Sequence, residues 1–349
     1  MRVATWNVEL ARRGPGLLLT DIETEDDAQV AALAAVVAEV APDILLLTSV
    51  DYDADLAALR ALAARIAAAG VAYPHLFALR PNTGRASGLD LDGDGRLGGP
   101  GDAQGFGRFA GQGGMALFSR LPVTGEAARD FSAFLWRDLP GALLPEAEGR
   151  PFPSEAALAV QRLSTTGHWA VPVALPGGGQ LTLLCWHATP PVFDGPEDRN
   201  GRRNHDEAAF WAALIDGRIP GEAPPQAPFV VLGDANLDPV DGDGRGEAMR
   251  MLLTHPALQD PAPESAGAAA ASRAQGGPNA GQAGPAALDT ADWREEGGPG
   301  NLRVDYVLPS ADLAVAGAGV FWPEAGDPLA EVAEMASRHR LVWVDIALP

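Results

Sequence analysis

The stretch RVATWNVE at residues 2–9 is the part of the sequence that decides the fold. Its mostly apolar residues from Val3 to Val8 predict a short buried strand, and the polar residues Asn7 and Glu9 stand where that strand ends. Residues two apart in a strand share a face, so Asn7 and Glu9 are expected to point the same way. In open α/β sheets, sites form where the strands end.

Four more apolar stretches have polar residues at their ends. Taken singly, each polar residue is as well explained by a cap or a turn. Five strand ends and a late histidine together favour a functional site. The further residues are Asp51, His187, Asp234 with Asn236, Asp305 and His339.

Helix and strand patterns alternate along the chain, which indicates the α/β class. Helices are predicted at 27–40, from 53 to about 66, from Asn204 onward and at 247–253. Strand patterns continue on both sides of each irregular segment, so one domain over residues 1–349 is expected. Its two insertions are an Asp/Gly-rich segment at about 80–114 and an Ala/Gly/Pro-rich segment at about 261–300, which is predicted to be a flexible loop.

The composition excludes several classes of protein. The 349 residues carry a formal net charge of -21, and all 25 basic residues are arginine. This excess of acidic residues argues against nonspecific binding of nucleic acid, which requires a positively charged surface. The single cysteine, Cys185, excludes an internal disulfide, and no apolar run is long enough to span a membrane.

Seven short motifs in a fixed order resemble the endonuclease/exonuclease/phosphatase superfamily, which includes pancreatic-type deoxyribonuclease and abasic-site endonucleases. The resemblance covers nearly the whole chain and implies a four-layer α/β/β/α sandwich, with two mixed sheets packed face to face and helices outside. The motifs are ATWNVE at 4–9, PDIL at 42–45, GMALFSR at 114–120, His187, GDAN at 233–236, RVDYV at 303–307 and SRHRLV at 337–342.

The resemblance implies a metal-dependent hydrolase of phosphate esters, acting as a phosphodiesterase, phosphatase or nuclease with Mg²⁺ or Mn²⁺. Asp234 would position or deprotonate the attacking water, and His187 would contact the phosphate or the leaving group. Asn7 and Asn236 would hold the phosphate or a metal ligand. Asp305 would orient His339, and Glu9 would bind the metal.

Two departures from the family pattern leave a second function open. Thr48 and Ser49 stand where the family usually has a Gln-Glu pair, although Asp51 could take over as a metal ligand. Arg338 replaces an acid that often helps the metal site, and it either binds substrate phosphate or turns outward. The alternative function is therefore a non-catalytic relative that binds a phosphorylated ligand or partner.

An arginine-rich segment follows His187 and offers a candidate substrate-binding loop. It contains Arg199, Asn200, Arg202 and Arg203. The guanidinium fork fits phosphate oxygens, so these residues would grip phosphate. The open alternative is a solvated loop whose arginines pair with nearby acids.

A second metal pattern lies in the first insertion. Asp90, Asp92 and Asp94 occupy positions one, three and five of a calcium loop, with Gly95 at position six. Position twelve is Gly101 instead of the expected glutamate. A structural Ca²⁺ site and an acidic turn both remain open.

The expected substrate is a small phosphate ester in preference to nucleic acid, because few positive charges face a long polyanion. No signal-peptide pattern is expected in the sequence as numbered here. The acidic, lysine-free composition and the calcium-like loop favour a periplasmic or secreted location. The sequence indicates no oligomeric state.

Overall fold

A computed structural model describes residues 1–293 and 297–347 of the chain. Two mixed sheets form its centre, and short hairpins lie outside them. The strands are β1 (Arg2–Leu10), β2 (Ile44–Val50), β3 (His75–Phe77), β4 (Gly114–Ser119), β5 (Arg129–Asp130), β6 (Glu146–Ala147), β7 (Arg150–Pro151), β8 (Gly167–Ala174), β9 (Gln180–His187), β10 (Phe229–Asp234), β11 (Ala291–Trp293), β12 (Gly300–Leu302), β13 (Asp305–Pro309), β14 (Ala314–Phe321) and β15 (Leu341–Ala347).

Helices connect the strands and cover the outer faces of both sheets. They are α1 (Leu17–Thr24), α2 (Ala28–Val40), α3 (Ala57–Ala68), α4 (Glu155–Val160), α5 (Arg199–Ile215), α6 (Glu247–Leu253), α7 (Ala266–Gln275) and α8 (Ala330–Ala336). In this described part of the chain, no helix has the length and apolarity needed to cross a bilayer.

The two sheets are joined by a shared apolar core. The first sheet has the order β14-β15-β1-β2-β4-β3, and the second has the order β13-β10-β9-β8-β5. Each contains one parallel pair, β1 with β2 and β9 with β10, among antiparallel neighbours. Side chains such as Leu46, Trp169 and Leu232 meet between the sheets.

A further apolar core lies between each sheet and the helices that cover its outer face. Helices α1, α2 and α3 pack on the first sheet through residues such as Leu33 and Leu62, and α5 and α6 pack on the second through residues such as Trp211 and Met249. This arrangement confirms the predicted α/β/β/α sandwich.

Local sequence signals explain some element boundaries. Asp27 accepts a hydrogen bond from the backbone N–H of Val30 at 2.8 Å and caps α2 as a helix N-cap should. Helix α6 has the predicted bounds. Helix α5 begins at Arg199, five residues before the predicted start at Asn204, so the arginine-rich segment is mostly helical.

The Ala/Gly/Pro-rich segment at 261–300 is not a structureless loop, and this prediction was wrong. Ser265 Oγ accepts hydrogen bonds from the N–H groups of Gly267 and Ala268 and starts α7. Ala268 of α7 is fully buried in the core between the sheets. Alanine is the strongest helix former, so an alanine-rich run favours a helix once one face can be buried.

Candidate active site

Three polar residues lie side by side across the second sheet. Asp234 is the last residue of β10, and it is in register with His187 on β9 and with Asp305 on β13. Directly paired residues on neighbouring strands point to the same face of a sheet. The strand register alone therefore brings three of the predicted site residues together.

Asn7 reaches this row from the other sheet. Its side-chain Nδ2 donates a hydrogen bond of 2.7 Å to Oδ2 of Asp234. Strand β1 alternates so that Trp6 packs in the outer core, while Asn7 faces the second sheet. The contact joins the two sheets at the site.

Asp234 is fully buried and strongly hydrogen-bonded. Its Oδ1 accepts the backbone N–H of Asn236 at 2.7 Å, and its Oδ2 also accepts Nδ2 of Asn236 at 3.2 Å. Burial, and then the neighbouring charge of Asp305, raise the pKa of Asp234 to about 7. A carboxylate with a pKa near neutrality suits a general base.

His339 is held in a fixed orientation by Asp305. The distance from His339 Nδ1 to Asp305 Oδ2 is 2.8 Å, and Thr290 Oγ1 donates to the same oxygen at 2.9 Å. Burial opposes protonation of the ring, but Asp305 and Asp234 outweigh it and raise the pKa of His339 to about 9. His339 is therefore a cation at neutral pH.

His187 has the opposite electrostatic character. Its Nε2 lies 3.5 Å from Oδ2 of Asp234. Burial, together with the positive charge of His339, lowers the pKa of His187 to about 3. The site thus pairs a neutral histidine with a charged one, which gives the two rings different roles.

These residues surround a cavity of about 700 Å³. Its polar wall includes Asn7, His187, Asn236 and His339, and Asp234 lies behind them. Another part of the wall is apolar, with Pro191, Phe193, Trp293 and Leu302 among its residues, and the ring centroids of Trp293 and His339 are 5.4 Å apart. The cavity therefore offers both polar groups and apolar surface to a small organic phosphate.

Glu9 also lines this cavity, and it is paired with Arg338. Glu9 Oε1 accepts hydrogen bonds from Arg338 Nε at 2.9 Å and Nη2 at 2.6 Å. Burial of Glu9 favours its neutral form, but hydrogen bonds from Arg338 outweigh this effect and lower the pKa of Glu9. Arg338 therefore contacts the predicted metal ligand.

Asp51 does not join Glu9 in the cavity. Its Oδ2 accepts the backbone N–H of Arg12 at 2.8 Å, and its Oδ1 accepts that of Gly113 at 2.9 Å. The backbone of Ser49 has a φ of 60°, and the register of β2 shifts between Thr48 and Val50. Because the strand is irregular there, the expected shared face is lost, and Ser49 lines the cavity instead.

The arginine-rich segment does not line the main cavity. Arg203 is buried, and its guanidinium donates to the carbonyl oxygens of Gln104, Arg162, Leu163 and Ser164. The N–H groups of Arg203 thus anchor loops, although Arg203 also lines a smaller cavity beside the main one, and its contact with phosphate stays a prediction.

The other members of that segment are also placed away from the catalytic row. Arg202 donates to the carbonyl oxygen of Glu197 at 3.1 Å. Arg199 and Asn200 line a separate cavity of about 360 Å³, which shares Pro190 and Phe193 with the main cavity. These two residues are thus neighbours of the site and not part of its polar wall.

The Asp-rich loop gathers a different triad from the predicted one. Ligand atoms of Asp90, Asp92 and Asp102 lie within 4.8 Å of one another. The carboxylate of Asp94 accepts the backbone N–H of Arg96 at 2.7 Å instead. The chain folds back so that Asp102, one residue after position twelve, replaces Asp94 in the cluster.

The positioning roles of two residues, Thr290 and Asn204, were not predicted from the sequence. Thr290 lies in the alanine-rich segment, and its hydroxyl oxygen accepts the backbone N–H of Asp305 at 3.0 Å. Asn204 lies on α5, and its Nδ2 donates to the carbonyl oxygens of Thr189 and Ala235 at 2.7 and 2.8 Å. Asn204 therefore ties the loop after His187 to the loop after Asp234.

Comparison with known proteins agrees with this architecture. Residues 4–339 match the family model described as Endonuclease/Exonuclease/phosphatase family. A search of curated proteins found no match.

Several solved structures are similar across the whole chain. An endonuclease/exonuclease/phosphatase from Beutenbergia cavernae DSM 12333 has a TM-score of 0.56 and 20% identity, covering 100% of this chain and 71% of that one. A family protein from Leptotrichia buccalis C-1013-b has a TM-score of 0.53 and 16% identity, with 100% of both chains covered. A mannosyl-6-phosphatase from Bacteroides thetaiotaomicron VPI-5482 has a TM-score of 0.51 and 11% identity, also with 100% of both covered. At these identities the likeness shows the fold alone.

Proposed function

Since this chain belongs to the endonuclease/exonuclease/phosphatase family, whose members generally hydrolyse phosphate esters, we propose that it is a divalent-metal-dependent hydrolase of a phosphate ester. The observation that carries the proposal is the in-register row of His187, Asp234 and Asp305, completed by Asn7 and His339. Hydrolysis needs an aligned water, neutralised phosphate oxygens and a stabilised leaving group.

Each residue of the row has a proposed role that follows from its charge. Asp234, with a pKa near 7, takes a proton from the attacking water, while Asn7 and Asn236 fix its carboxylate. The cationic His339 attracts a phosphate oxygen and is kept protonated by Asp305. The neutral His187 contacts the phosphate or the leaving group as it departs.

The donor atoms of the cavity fit a divalent ion. Glu9 offers a carboxylate and Asn7 an amide oxygen, the hard ligands that Mg²⁺ and Mn²⁺ prefer. We propose that these two residues hold the catalytic ion, which when bound would neutralise phosphate charge. Asp234, Asp305 and His339 also have ligand atoms within 4.8 Å of one another, and the hydrogen bond between His339 and Asp305 supports the proposal that these three residues handle protons.

The substrate is proposed to be a small phosphate ester whose organic part contacts the apolar wall. The side cavity beside Phe193 gives Arg199 and Asn200 access to the more distant part of such a substrate. A structural Ca²⁺ site in the Asp-rich loop stays a prediction, with Asp102 in place of Asp94 beside Asp90 and Asp92. The periplasmic or secreted location also stays a prediction.

A panel assay tests the proposed function. Purified protein stripped with EDTA is given Mg²⁺, Mn²⁺ or Ca²⁺ with bis-p-nitrophenyl phosphate, p-nitrophenyl phosphate, sugar phosphates and duplex DNA. Turnover that requires the ion is the expected result. No hydrolysis of any substrate, together with binding of a phosphorylated ligand, would favour the non-catalytic alternative that Ser49 and Arg338 suggest.

A further inference from the structure

Every oxygen of the Glu9 carboxylate is occupied by hydrogen bonds within the protein. Besides the two bonds from the guanidinium of Arg338 to Oε1, Oε2 accepts the backbone N–H of Arg338 at 2.8 Å. Ser337 Oγ also lies 3.2 Å from Oε2, but its single proton has a shorter bond to the carbonyl oxygen of Asn7 at 2.7 Å. Three N–H donors on two oxygens take most of the acceptor sites of a carboxylate.

The backbone holds Glu9 in place, and the arginine side chain is the more exposed partner of the pair. Glu9 has a φ of 48° at a register shift in β1, and its N–H donates to Oδ1 of Asn7 at 3.1 Å. The side chain of Arg338 is 50% exposed, against 26% for Glu9.

The neighbouring strand supplies no second carboxylate to strengthen an ion at this position. Ser49 lines the cavity on that side, and Asp51 is bonded to backbone N–H groups elsewhere. Asp238 and Asp243 also line the cavity, but β1 and β2 together offer an ion only the carboxylate of Glu9, whose oxygens Arg338 already contacts.

We propose that Arg338 is a built-in competitor of divalent metal binding at Glu9. The guanidinium and the ion need the same oxygens and repel each other, so the ion binds Glu9 only in molecules whose Arg338 has turned away. The inference rests on the proposed function in taking Glu9 as a metal ligand. It goes further in identifying the residue that sets the metal affinity.

Calorimetric titration with Mn²⁺ tests the competition without any substrate. Arg338→Gln is expected to tighten Mn²⁺ binding roughly three- to tenfold, the range for a charge-assisted pair that is partly exposed to water. The matched control is Arg218→Gln, which removes an arginine of 51% side-chain exposure from its pair with Asp216. The control should leave Mn²⁺ affinity within twofold of the wild type.

The double variant Glu9→Gln/Arg338→Gln shows whether the tighter Mn²⁺ binding of Arg338→Gln depends on Glu9. Without the Glu9 carboxylate, the gain in Mn²⁺ affinity should vanish. The proposal is overturned if Arg338→Gln binds Mn²⁺ as the wild type does, if neither protein binds it, or if the gain persists without the Glu9 carboxylate.

Nuclear magnetic resonance of the arginine side chain gives a site-specific second readout. The Nε–H of Arg338, assigned by its loss in Arg338→Gln, should exchange slowly with water in metal-free protein because it is bonded to Glu9. Saturating Mg²⁺ should shift it and speed its exchange. A resonance that Mg²⁺ leaves unchanged would also overturn the proposal, whereas absent hydrolysis with both readouts as expected would contradict only the enzymatic function.

Discussion

Asp234 and His339 are the two residues whose protonation states decide the proposed chemistry. Both have raised pKa values: burial and Asp305 raise the pKa of Asp234 to about 7, and Asp305 with Asp234 raises that of His339 to about 9 against the effect of burial. The proposed mechanism needs Asp234 ionised and His339 protonated. Both conditions hold together only between the two pKa values.

A bell-shaped dependence of kcat/KM on pH is therefore expected. Activity should fall as pH drops below about 7, because Asp234 takes up a proton, and fall as pH rises above about 9, because His339 loses one. Steady-state kinetics at constant ionic strength and saturating metal measure both limbs.

Asp305→Asn provides the control for this assignment. Removing the Asp305 charge lowers the pKa of both His339 and Asp234, so both limbs should move to lower pH. Limbs that stay in place in the variant would show that other groups are titrating.

Sequence reasoning predicted Asp234 and Asp305 because each stands at the end of an apolar strand, and His339 because it lies in a family-like motif. It did not predict the residues that hold them in place. Thr290 lies in an alanine-rich segment where no pattern points to Asp305. Asp51 was misplaced because an irregular strand breaks the alternation of faces on which the prediction rested. Periodicity predicts a face only while the strand stays regular.

At the scale of elements, α5 connects two loops of the site. Asn204 is fully buried and donates from its side-chain amide to Thr189 and Ala235. These residues follow His187 and Asp234 by two and one positions. The helix therefore ties together the two loops that follow these strand ends.

Asn204→Ala should lower kcat about tenfold or more, with KM within threefold, because the loops lose their common anchor. The variant leaves two carbonyl oxygens unsatisfied, so unfolding free energy should fall by about 1–3 kcal/mol. Steady-state kinetics and urea unfolding measure the two effects.

The comparison is Arg202→Ala on the same helix. The guanidinium of Arg202 donates to the carbonyl oxygens of Glu197 and Leu144 at 3.1 and 3.5 Å. The variant should retain kcat within threefold. Equal losses of kcat in Asn204→Ala and Arg202→Ala would contradict the proposed role of Asn204 as the common anchor of the two loops.

Helices with clear caps or amphipathic spacing, such as α2 and α6, were predictable from sequence, whereas α7 was not. Composition rich in Ala, Gly and Pro suits both a linker and a packed helix, and tertiary burial decides between them. The backbone contacts of Arg203 on α5 were not predicted for a related reason. Buried carbonyl oxygens that attract Arg203 come from loops distant in sequence.

For the whole molecule, a net charge of -21 limits the choice of polyanionic partners. A duplex DNA of 20 base pairs should show no binding below roughly 100 µM at physiological salt. Nonspecific binding is driven by counterions that leave the DNA when basic side chains neutralise its phosphates, and an acidic surface offers little such neutralisation. Fluorescence anisotropy measures the binding. Low-micromolar binding that weakens steeply with salt would contradict the preference for a small ester.

The central claim is that the row on the second sheet hydrolyses a phosphate ester. The most direct measurement is metal-dependent turnover of bis-p-nitrophenyl phosphate, or of the substrate found in the panel, by His187→Ala and Asp234→Ala, with His255→Ala as control and circular dichroism to verify folding. His255 pairs with Asp216, outside the catalytic row. We predict losses of about a hundredfold or more in the first two variants and none in the third. Wild-type turnover in both folded site variants would contradict the account.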